Sequence, residues 1–245
     1  MTDRRVAFIT GGARGIGRAI GLELACAGWH IALCYRTSKD DAEATCASIK
    51  AQKAEALMAQ CDVSDPVAVA ELVDRVQNKW DRIDAVINCA GPFRRAKILE
   101  ETVGGWRSMF QNNLDPVFFT AKFAAPGMIE RKWGRIISFS LANADHIAAN
   151  TAITAHFIAK SGVLSLSRAL AKELAPHGVT VNCISPGFID SKSTPRAELE
   201  EVTKRIPAGY VGSLDDILAA TRFLLSEQAR YITGANLQVS GGWGL

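Results

Sequence analysis

The segment from residue 10 to residue 17 reads Thr10-Gly11-Gly12-Ala13-Arg14-Gly15-Ile16-Gly17, directly after the apolar run Val6-Ala7-Phe8-Ile9. Apolar residues then recur at helical spacing, at Ile16, Ile20 and Leu24. The pattern predicts a buried strand, a tight turn and the start of a helix, in that order. Free backbone N–H groups and the positive end of the helix dipole then face one point, which makes an anion site.

The glycines make this site a candidate for the pyrophosphate of a dinucleotide. We expect Gly11 to permit the tight turn, Gly15 to let the backbone approach a pyrophosphate, and Gly17 to let the helix pack closely on the strand. Arg14 and Ile16 lie on either side of Gly15 and join them as expected cofactor contacts. An ordinary strand-to-helix turn is the alternative interpretation, and the rest of the chain decides between the two.

The composition is typical of a globular protein with a sizeable core. Of 245 residues, 48% are hydrophobic and 22% charged, which suits one large domain or two small ones. The net charge of +3, without a Lys/Arg run, argues against a nucleic-acid partner. No apolar run reaches membrane-spanning length and the N-terminus lacks a signal-like apolar region, so we expect no membrane partner and a cytoplasmic location.

Cysteines and histidines do not form metal-binding patterns. The six cysteines are scattered without a C-x-x-C pair, and three of them lie in apolar, strand-like runs. We therefore expect buried, reduced thiols. The four histidines are dispersed, without a carboxylate–histidine spacing that suggests a metal site, so we expect no metal.

Short apolar runs alternate with helical patterns along the chain. The predicted strands are Val6–Thr10, His30–Tyr35, Ala56–Cys61, Ile83–Ala90, Gly134–Ser140, Val179–Ser185 and Asn236–Ser240. The predicted helices are 15–28, 38–52, 66–79, 100–132, 157–175 and 213–226. Near-continuous apolar strands are typical of parallel sheets covered on both faces. Repeated β–α units without a linker predict one α/β domain over residues 1–245, a doubly wound Rossmann fold with a mostly parallel sheet of seven strands.

The ends of the second and third predicted strands bear on the choice of dinucleotide. An acidic residue after the second strand would bind the ribose hydroxyls of NAD, but Arg36 stands there instead. Together with Arg14 it offers two guanidinium groups for a 2′-phosphate, which favours NADP(H), although each arginine alone could be a solvated surface charge. After the third strand, Asp62 beside Val63 could accept from the adenine amino group. Taken alone, Asp62 is better interpreted as a cap for the helix that begins at Pro66.

Further motifs follow the glycine-rich loop in a fixed order. They are Asn88-Cys89-Ala90-Gly91, Asn113 in an Asn-Asn-Leu after Trp106, Lys160 in Ala-Lys-Ser-Gly-Val, Asn182 to Gly187, and an ending from Tyr231-Ile232-Thr233-Gly234 to Gly241-Gly242. With these motifs the chain resembles the short-chain dehydrogenase/reductase family, in particular its 3-oxoacyl-ACP reductases, from about residue 4 to the C-terminus. The resemblance implies hydride transfer between NADP(H) and a small-molecule substrate, and a homotetramer.

The resemblance also implies roles for single residues. The residues expected to line the cofactor are Asn88, Ala90 and Gly91, and those expected to close over the nicotinamide are Pro186, Gly187 and Ile189. Lys160 would bind the nicotinamide ribose. Lys160 and Asn113 match two positions of the family's catalytic set of Asn, Ser, Tyr and Lys.

Two catalytic positions depart from the family pattern. Four residues before Lys160, where the family has Tyr, this chain has His156. Leu141 aligns with the catalytic serine, while Ser140 would point to the opposite face of an extended strand. The interval from Leu141 to His156 is about two residues longer than is usual in the family. A histidine pKa starts near 6.5, and a neighbouring lysine lowers it further, so His156 would be a weak acid at neutral pH.

Three interpretations of this centre remain open. In the first, His156 replaces Tyr as donor, with help from the lengthened loop through Ser140, Asn143, Asp145 or His146. In the second, the substrate is already activated toward hydride, as is a C=N bond of a reduced pteridine or an iminium ion, and demands little of a protein acid. In the third, catalysis is lost and the protein is an NADP(H)-binding sensor or assembly subunit.

Residues around the expected substrate site add weaker indications. Phe93 occupies a position where the resemblance to pteridine reductases implies an aromatic residue stacked on the substrate; a loop aromatic covering the core is the alternative. The segment Arg94-Arg95-x-Lys97 is either solvated or available to an anionic part of the substrate. We expect residues 188–210 to form a substrate lid. The apolar ending Gly241-Gly242-Trp243-Gly244-Leu245 suggests burial against another subunit.

Overall fold

The computed structural model of the chain describes residues 3–146, 149–190 and 196–244. A seven-stranded sheet has the order β3-β2-β1-β4-β5-β6-β9, and all neighbouring strands in it are parallel. Its strands are β1 (Val6–Thr10), β2 (His30–Tyr35), β3 (Ala56–Gln60), β4 (Ala85–Asn88), β5 (Gly134–Phe139), β6 (Val179–Pro186) and β9 (Asn236–Val239). The short strands β7 (Ile189–Asp190) and β8 (Gly212–Ser213) pair with each other.

Eight α-helices accompany these strands in the described part of the chain. They are α1 (Gly15–Cys26), α2 (Lys39–Ala51), α3 (Pro66–Trp80), α4 (Val103–Asn113), α5 (Asp115–Glu130), α6 (Thr154–Leu174), α7 (Arg196–Thr203) and α8 (Leu214–Leu225). The observed strand order places β1 and β4 side by side at the centre, where the chain reverses its direction of winding. The predicted doubly wound fold with seven strands is confirmed.

Two apolar layers hold the helices against the sheet. Successive residues of a strand face opposite sides, so Phe8 packs with α3 and α5, whereas Ile9 packs with α1, α2 and α8. Both side chains are fully buried. A third, smaller cluster lies between α5 and α6 and includes Val117, Val163 and Leu164. This arrangement leaves the carboxyl ends of the strands free to form a site.

Several predicted boundaries were wrong for identifiable reasons. The helix predicted over 100–132 is two helices, because Pro116 has no backbone N–H to donate to the carbonyl of Asn112, so the hydrogen-bond ladder of α4 stops. The cap of α3 is Asp65, which accepts a hydrogen bond from the backbone N–H of Val67 at 2.9 Å, and not Asp62. Helix α6 begins at Thr154, three residues earlier than predicted.

The thiols are free, as expected, but not all are buried. Cys34, Cys46, Cys61 and Cys183 are buried, whereas Cys89 is half-buried and Cys26 is exposed. Within the described ranges, the helices are too short or too polar to cross a lipid bilayer. The predicted lid contains β7 and α7, and its residues 191–195 lie outside the described residues.

Candidate cofactor and active site

Two adjoining cavities open at the carboxyl ends of the strands. The first cavity, of about 320 Å³, lies over the ends of β2 and β3 and beside the turn after β4. The second cavity, of about 360 Å³, lies between the start of α1 and the end of β6. Gly11, Arg14 and Cys89 line both cavities, so the glycine-rich loop forms the boundary between them.

The glycine-rich loop has the geometry of an anion cradle. Gly11 and Gly15 have φ of +64° and +57°, a conformation that glycine adopts readily. A Cβ on Gly17 would lie 2.5 Å from the carbonyl oxygen of Gly11, so a larger residue would push α1 away from the loop. Helix α1 begins at Gly15, and the N–H groups of its first turn have no acceptor within the helix. These donors line the second cavity through Gly15, Ile16 and Gly17.

Two arginines belong to the wall of the first cavity, and one of them, Arg14, also lines the second. The other is Arg36, whose guanidinium nitrogen Nη1 donates to Oδ1 of Asn112 at 3.1 Å. Asp62 and Val63 form the neighbouring wall. Burial raises the pKa of Asp62, but hydrogen bonds from Ser64 and the charge of Arg36 outweigh it and lower the pKa overall. A charged Asp62 therefore stands beside the arginines.

Of the residues at the end of β4 and in the turn after it that were predicted to contact the cofactor, two line the first cavity and one is buried. Ala90 and Gly91 line the first cavity, and the backbone N–H of Ala90 donates to Oγ1 of Thr10 at 3.1 Å. Asn88, which was predicted to line the cofactor, is buried instead. Its side chain donates to Oγ of Ser138 at 3.1 Å and accepts from Oγ1 of Thr120 at 2.9 Å. Asn88 thus fastens β4 to β5 and α5.

Lys160 and Asn113 converge on Gly91. A Cβ placed on Gly91 would lie 2.6 Å from Oδ1 of Asn113 and 3.2 Å from Nζ of Lys160. Nζ of Lys160 donates to the carbonyl oxygen of Phe139 at 2.8 Å, and burial lowers the pKa of this lysine to about 8. The amide nitrogen of Asn113 donates to the carbonyls of Pro92 and Met109, while its Oδ1 is buried and has no hydrogen-bond partner among the described residues. A buried acceptor without a partner indicates a place for a donor from a ligand or water.

His156 lies in the first turn of α6, beside this pair. The side chain is buried and its ring meets the ring of Phe93 edge to face, with centroids 5.1 Å apart. Burial, and then the charge of Lys160, lowers the pKa of His156 to about 4, against a hydrogen bond with the backbone of Pro92 that raises it. Its Nδ1 is buried and, in the part of the chain described, has no hydrogen-bond partner. The imidazole is therefore uncharged at neutral pH and has one unused polar atom.

Ser140 and Leu141 both follow the end of β5, and they face different surroundings. Leu141 packs on the apolar cluster between α5 and α6. Oγ of Ser140 donates to the carbonyl oxygen of Lys160 at 2.8 Å and so supports α6. Ser140 is therefore already engaged in holding the backbone of Lys160.

Two polar residues of the loop after Leu141, Asp145 and His146, are exposed. Asp145 accepts hydrogen bonds from Asn236 at 3.2 Å and from Gln238 at 3.3 Å, both on β9. The two residues after His146 lie outside the described ranges. Asp145, one of the residues that could help His156, is therefore bonded to β9 in this structure.

The charged segment after the β4 turn is mostly paired. Arg94 bonds to Glu101 at 3.1 Å, and Lys97 lies 3.5 Å from Glu100. The guanidinium of Arg95 lies 5.8 Å from the centroid of the Phe93 ring, which is 56% exposed and so accessible to a ligand. Among the described residues, no group of three or more His, Cys, Asp or Glu side chains lies close enough together to hold a metal ion.

Sequence reasoning missed several residues of these cavities. Thr37, Ser38, Cys89 and Asn112 line the first cavity, and Thr10 holds the turn beside it. The signal for Thr37 and Ser38 was present, because both follow Arg36 at the end of a predicted strand. The position of Asn112 depends on where α4 ends, and that boundary was predicted wrongly.

Comparison with known proteins agrees with this geometry. A family model described as enoyl-(acyl carrier protein) reductase matches residues 11–244. The chain is 35% identical over 245 residues to 3-oxoacyl-[acyl-carrier-protein] reductase FabG of Staphylococcus aureus, covering 99% of both chains. It is 34% identical over 239 residues to 3-oxoacyl-[acyl-carrier-protein] reductase of Synechocystis, covering 97% of this chain and 96% of the relative.

Solved structures lead to the same group. A mutant of a Serratia marcescens short-chain dehydrogenase/reductase superimposes with a TM-score of 0.91 at 30% identity, covering 98% of each chain. A blue fluorescent protein from a metagenomic library, solved in complex with NADPH, gives a TM-score of 0.91 at 32% identity and the same coverage. With a matching family model, relatives aligned along their whole length and a shared fold, the chain belongs to the short-chain dehydrogenase/reductase family.

Proposed function

We propose that the protein is an NADPH-dependent reductase of a carbonyl or an activated C=N bond, with a preference for substrates that need no protein acid. The observation that carries this proposal is His156, a buried and uncharged imidazole at the position of the family's catalytic Tyr. Leu141, at the serine position, can neither donate nor accept a hydrogen bond. The chain therefore keeps the cofactor side of the site and has lost the acid side.

The residues present fit NADPH. The cradle at Gly11, Gly15 and Gly17 suits a pyrophosphate, and Arg14 and Arg36, which both line the first cavity, suit a 2′-phosphate. One of the structural relatives was solved with NADPH, which supports the same choice. NADPH, when bound, supplies a hydride.

The three polar residues of the centre have distinct capacities. Lys160, with a pKa of about 8, is largely protonated at pH 7, and its proposed role is to bind the nicotinamide ribose. Oδ1 of Asn113 is available to accept a hydrogen bond. Neutral His156 has one N–H and one lone pair, but its hydrogen bond with the backbone of Pro92 leaves only Nδ1 unused. With a pKa of about 4, only about one His156 in a thousand carries a second proton at pH 7, so it supplies little general acid.

This balance favours one kind of substrate. A ketone that accepts hydride becomes an alkoxide and needs a proton at once, whereas an iminium ion that accepts hydride becomes a neutral amine. The iminium substrate already carries the positive charge that a protein acid would otherwise provide. Cyclic imines protonated in solution belong to the same class.

A pteridine is the second candidate substrate. Phe93 is 56% exposed and its ring stands edge-on to His156, so its free surface can stack on a flat heterocycle. Arg95 beside that ring would favour a substrate with an anionic tail. Both features belong to the same mouth of the site.

A substrate panel tests the proposal. Purified protein would be assayed for NADPH oxidation with cyclic imines, dihydropterins, 3-oxoacyl thioesters, diketones and quinones, with Lys160→Ala as a control for cofactor placement. We expect turnover of imines or dihydropterins to exceed that of every ketone. Equal or faster turnover of 3-oxoacyl thioesters would refute the preference. NADPH binding without turnover of any compound would favour a sensor. The homotetramer and the cytoplasmic location stay predictions from the sequence.

A further inference from the structure

The last described residues form a tight turn that packs on the same chain. This C-terminal turn, residues 240–244, follows β9 directly, and the backbone N–H of Trp243 donates to the carbonyl oxygen of Ser240 at 3.1 Å. Gly241, Gly242 and Gly244 have φ of +61°, +84° and +89°, values that glycine adopts without strain. The apolar ending expected to be buried against another subunit is therefore at least partly covered by its own chain.

One side of the C-terminal turn contacts the segment that follows α7. The N–H of Ala208 donates to the carbonyl oxygen of Gly241 at 2.9 Å. A Cβ on Gly241 would lie 2.9 Å from Cγ2 of Ile206, and a Cβ on Gly242 would lie 3.2 Å from Cβ of Pro207. The backbone of Gly241 and Gly242 lies so close to the side chains of Ile206 and Pro207 that a larger residue at either glycine would disturb the packing.

The other side contacts the loop that replaces the catalytic serine. A Cβ on Gly244 would lie 2.9 Å from Cβ of Asn143, which itself has φ of +70°. The loop is also bonded to the end of β6, because the N–H of Ala142 donates to the carbonyl oxygen of Pro186 at 3.1 Å. With the bonds from β9 to Asp145, the loop is held from three directions.

Trp243 links this turn to the second cavity. Its indole meets the ring of Phe188 at a centroid distance of 4.8 Å and an interplanar angle of 67°. Phe188 lies between Gly187 and Ile189, both of which line the second cavity. The N–H of Gly187 donates to the carbonyl oxygen of Val239 at 2.9 Å, so β9 fixes the same short segment from its other side.

We infer that Trp243 is a positioning residue that sets substrate selectivity, because it packs on Phe188 and belongs to the turn whose Gly244 packs on the loop after Leu141. Phe139 and Ser140 directly precede this loop, and they hydrogen-bond to Nζ and to the backbone carbonyl of Lys160, respectively. The inference rests on the proposed reductase function only in calling this region the substrate site. Trp243 is thus expected to affect substrates more than the adenine end of the cofactor, since Arg36 and Asp62 line the first cavity and not the second.

The test compares Trp243→Ala and Trp243→Phe with Tyr231→Ala, which removes an aromatic ring that is 97% exposed. Amide hydrogen exchange of the free protein is measured first, because it needs neither cofactor nor substrate. We expect Trp243→Ala to speed exchange in 141–146 and 186–190 by about tenfold, the factor that one aromatic pair is worth. Trp243→Phe should restore most of the protection, and Tyr231→Ala should leave both segments unchanged.

Kinetics with the best substrate of the panel complete the test. Trp243→Ala should change the ratio of kcat/KM between two substrates of different size by about tenfold, while the Kd of NADPH changes less than about threefold. Unchanged exchange in both segments would overturn the inference, as would an unchanged selectivity ratio or a Trp243→Phe variant as impaired as Trp243→Ala. Failure of every substrate would count against the proposed function, and the exchange result would still decide the role of Trp243.

Discussion

Replacing Arg36 with glutamine should remove most of the preference for NADPH over NADH. Arg36 lines the first cavity, and its described side-chain bond goes to the neutral amide of Asn112, so its charge remains available to a phosphate. A hydrogen bond to a charged group contributes about 1.5–3 kcal/mol. Since Arg36 is exposed, solvent screening reduces this to about 1–1.5 kcal/mol, which corresponds to about tenfold in Kd.

The assay is a fluorescence titration of NADPH and of NADH with the native protein, Arg36→Gln and Lys39→Gln. Lys39 is a matched control, because it is an exposed cation three residues away that pairs with Glu43 at 3.7 Å. We expect Arg36→Gln to weaken NADPH about tenfold and to leave NADH unchanged, with the preference shrinking as salt rises. Equal losses for both cofactors, or no loss beyond that of Lys39→Gln, would refute the reasoning.

Three further predictions concern charge, chemistry and stability. The pKa of His156 falls from about 6.5 in the unfolded chain to about 4 in the folded protein, so its contribution to stability is complete above pH 6.5 and is lost as the pH falls toward 4. In denaturant titrations the unfolding free energy of the native protein should fall by about 3 kcal/mol over this range because of His156, and His156→Gln should lack that fall. His156→Tyr should not reduce ordinary ketones, because Leu141 still lacks a hydroxyl; ketone turnover in this variant would show that only the acid was missing. Asn88→Ala should lower the unfolding free energy by about 2–4 kcal/mol in the same titration, because the buried hydroxyls of Ser138 and Thr120 each lose a partner; a cost below about 1 kcal/mol would contradict this.

The sheet could be predicted because its information is local. Each strand is an apolar run long enough to be buried on both faces, and the glycine-rich loop predicts the first strand–helix unit. The long helix was predicted wrongly because apolar spacing continues across Leu114. The break depends on one residue, Pro116, whose missing backbone N–H interrupts the helical hydrogen bonds.

Side-chain roles in the site depended on contacts that the sequence does not display. Asn88 was expected to line the cofactor, and Asp145 was one of the residues that could help His156. Both are engaged by partners far away in the chain, Thr120 and Ser138 in one case and β9 in the other. The packing of Trp243 on Phe188 joins residues 55 positions apart in sequence, so no local pattern could reveal it. The prediction that His156 stands at the position of the family's Tyr, in contrast, rests on a local feature, its spacing to Lys160.

The proposed loss of a protein acid is tested most directly by comparing one cyclic imine with a matched cyclic ketone. The measurement is kcat/KM for both at saturating NADPH, in the native protein and in His156→Ala. The neutral imidazole predicts that the native protein prefers the imine by about 100-fold or more and that His156→Ala keeps imine turnover within about threefold. Equal rates for ketone and imine, or a loss of about 10²–10⁴-fold with the imine in His156→Ala, would show that His156 acts as the acid and would contradict the account.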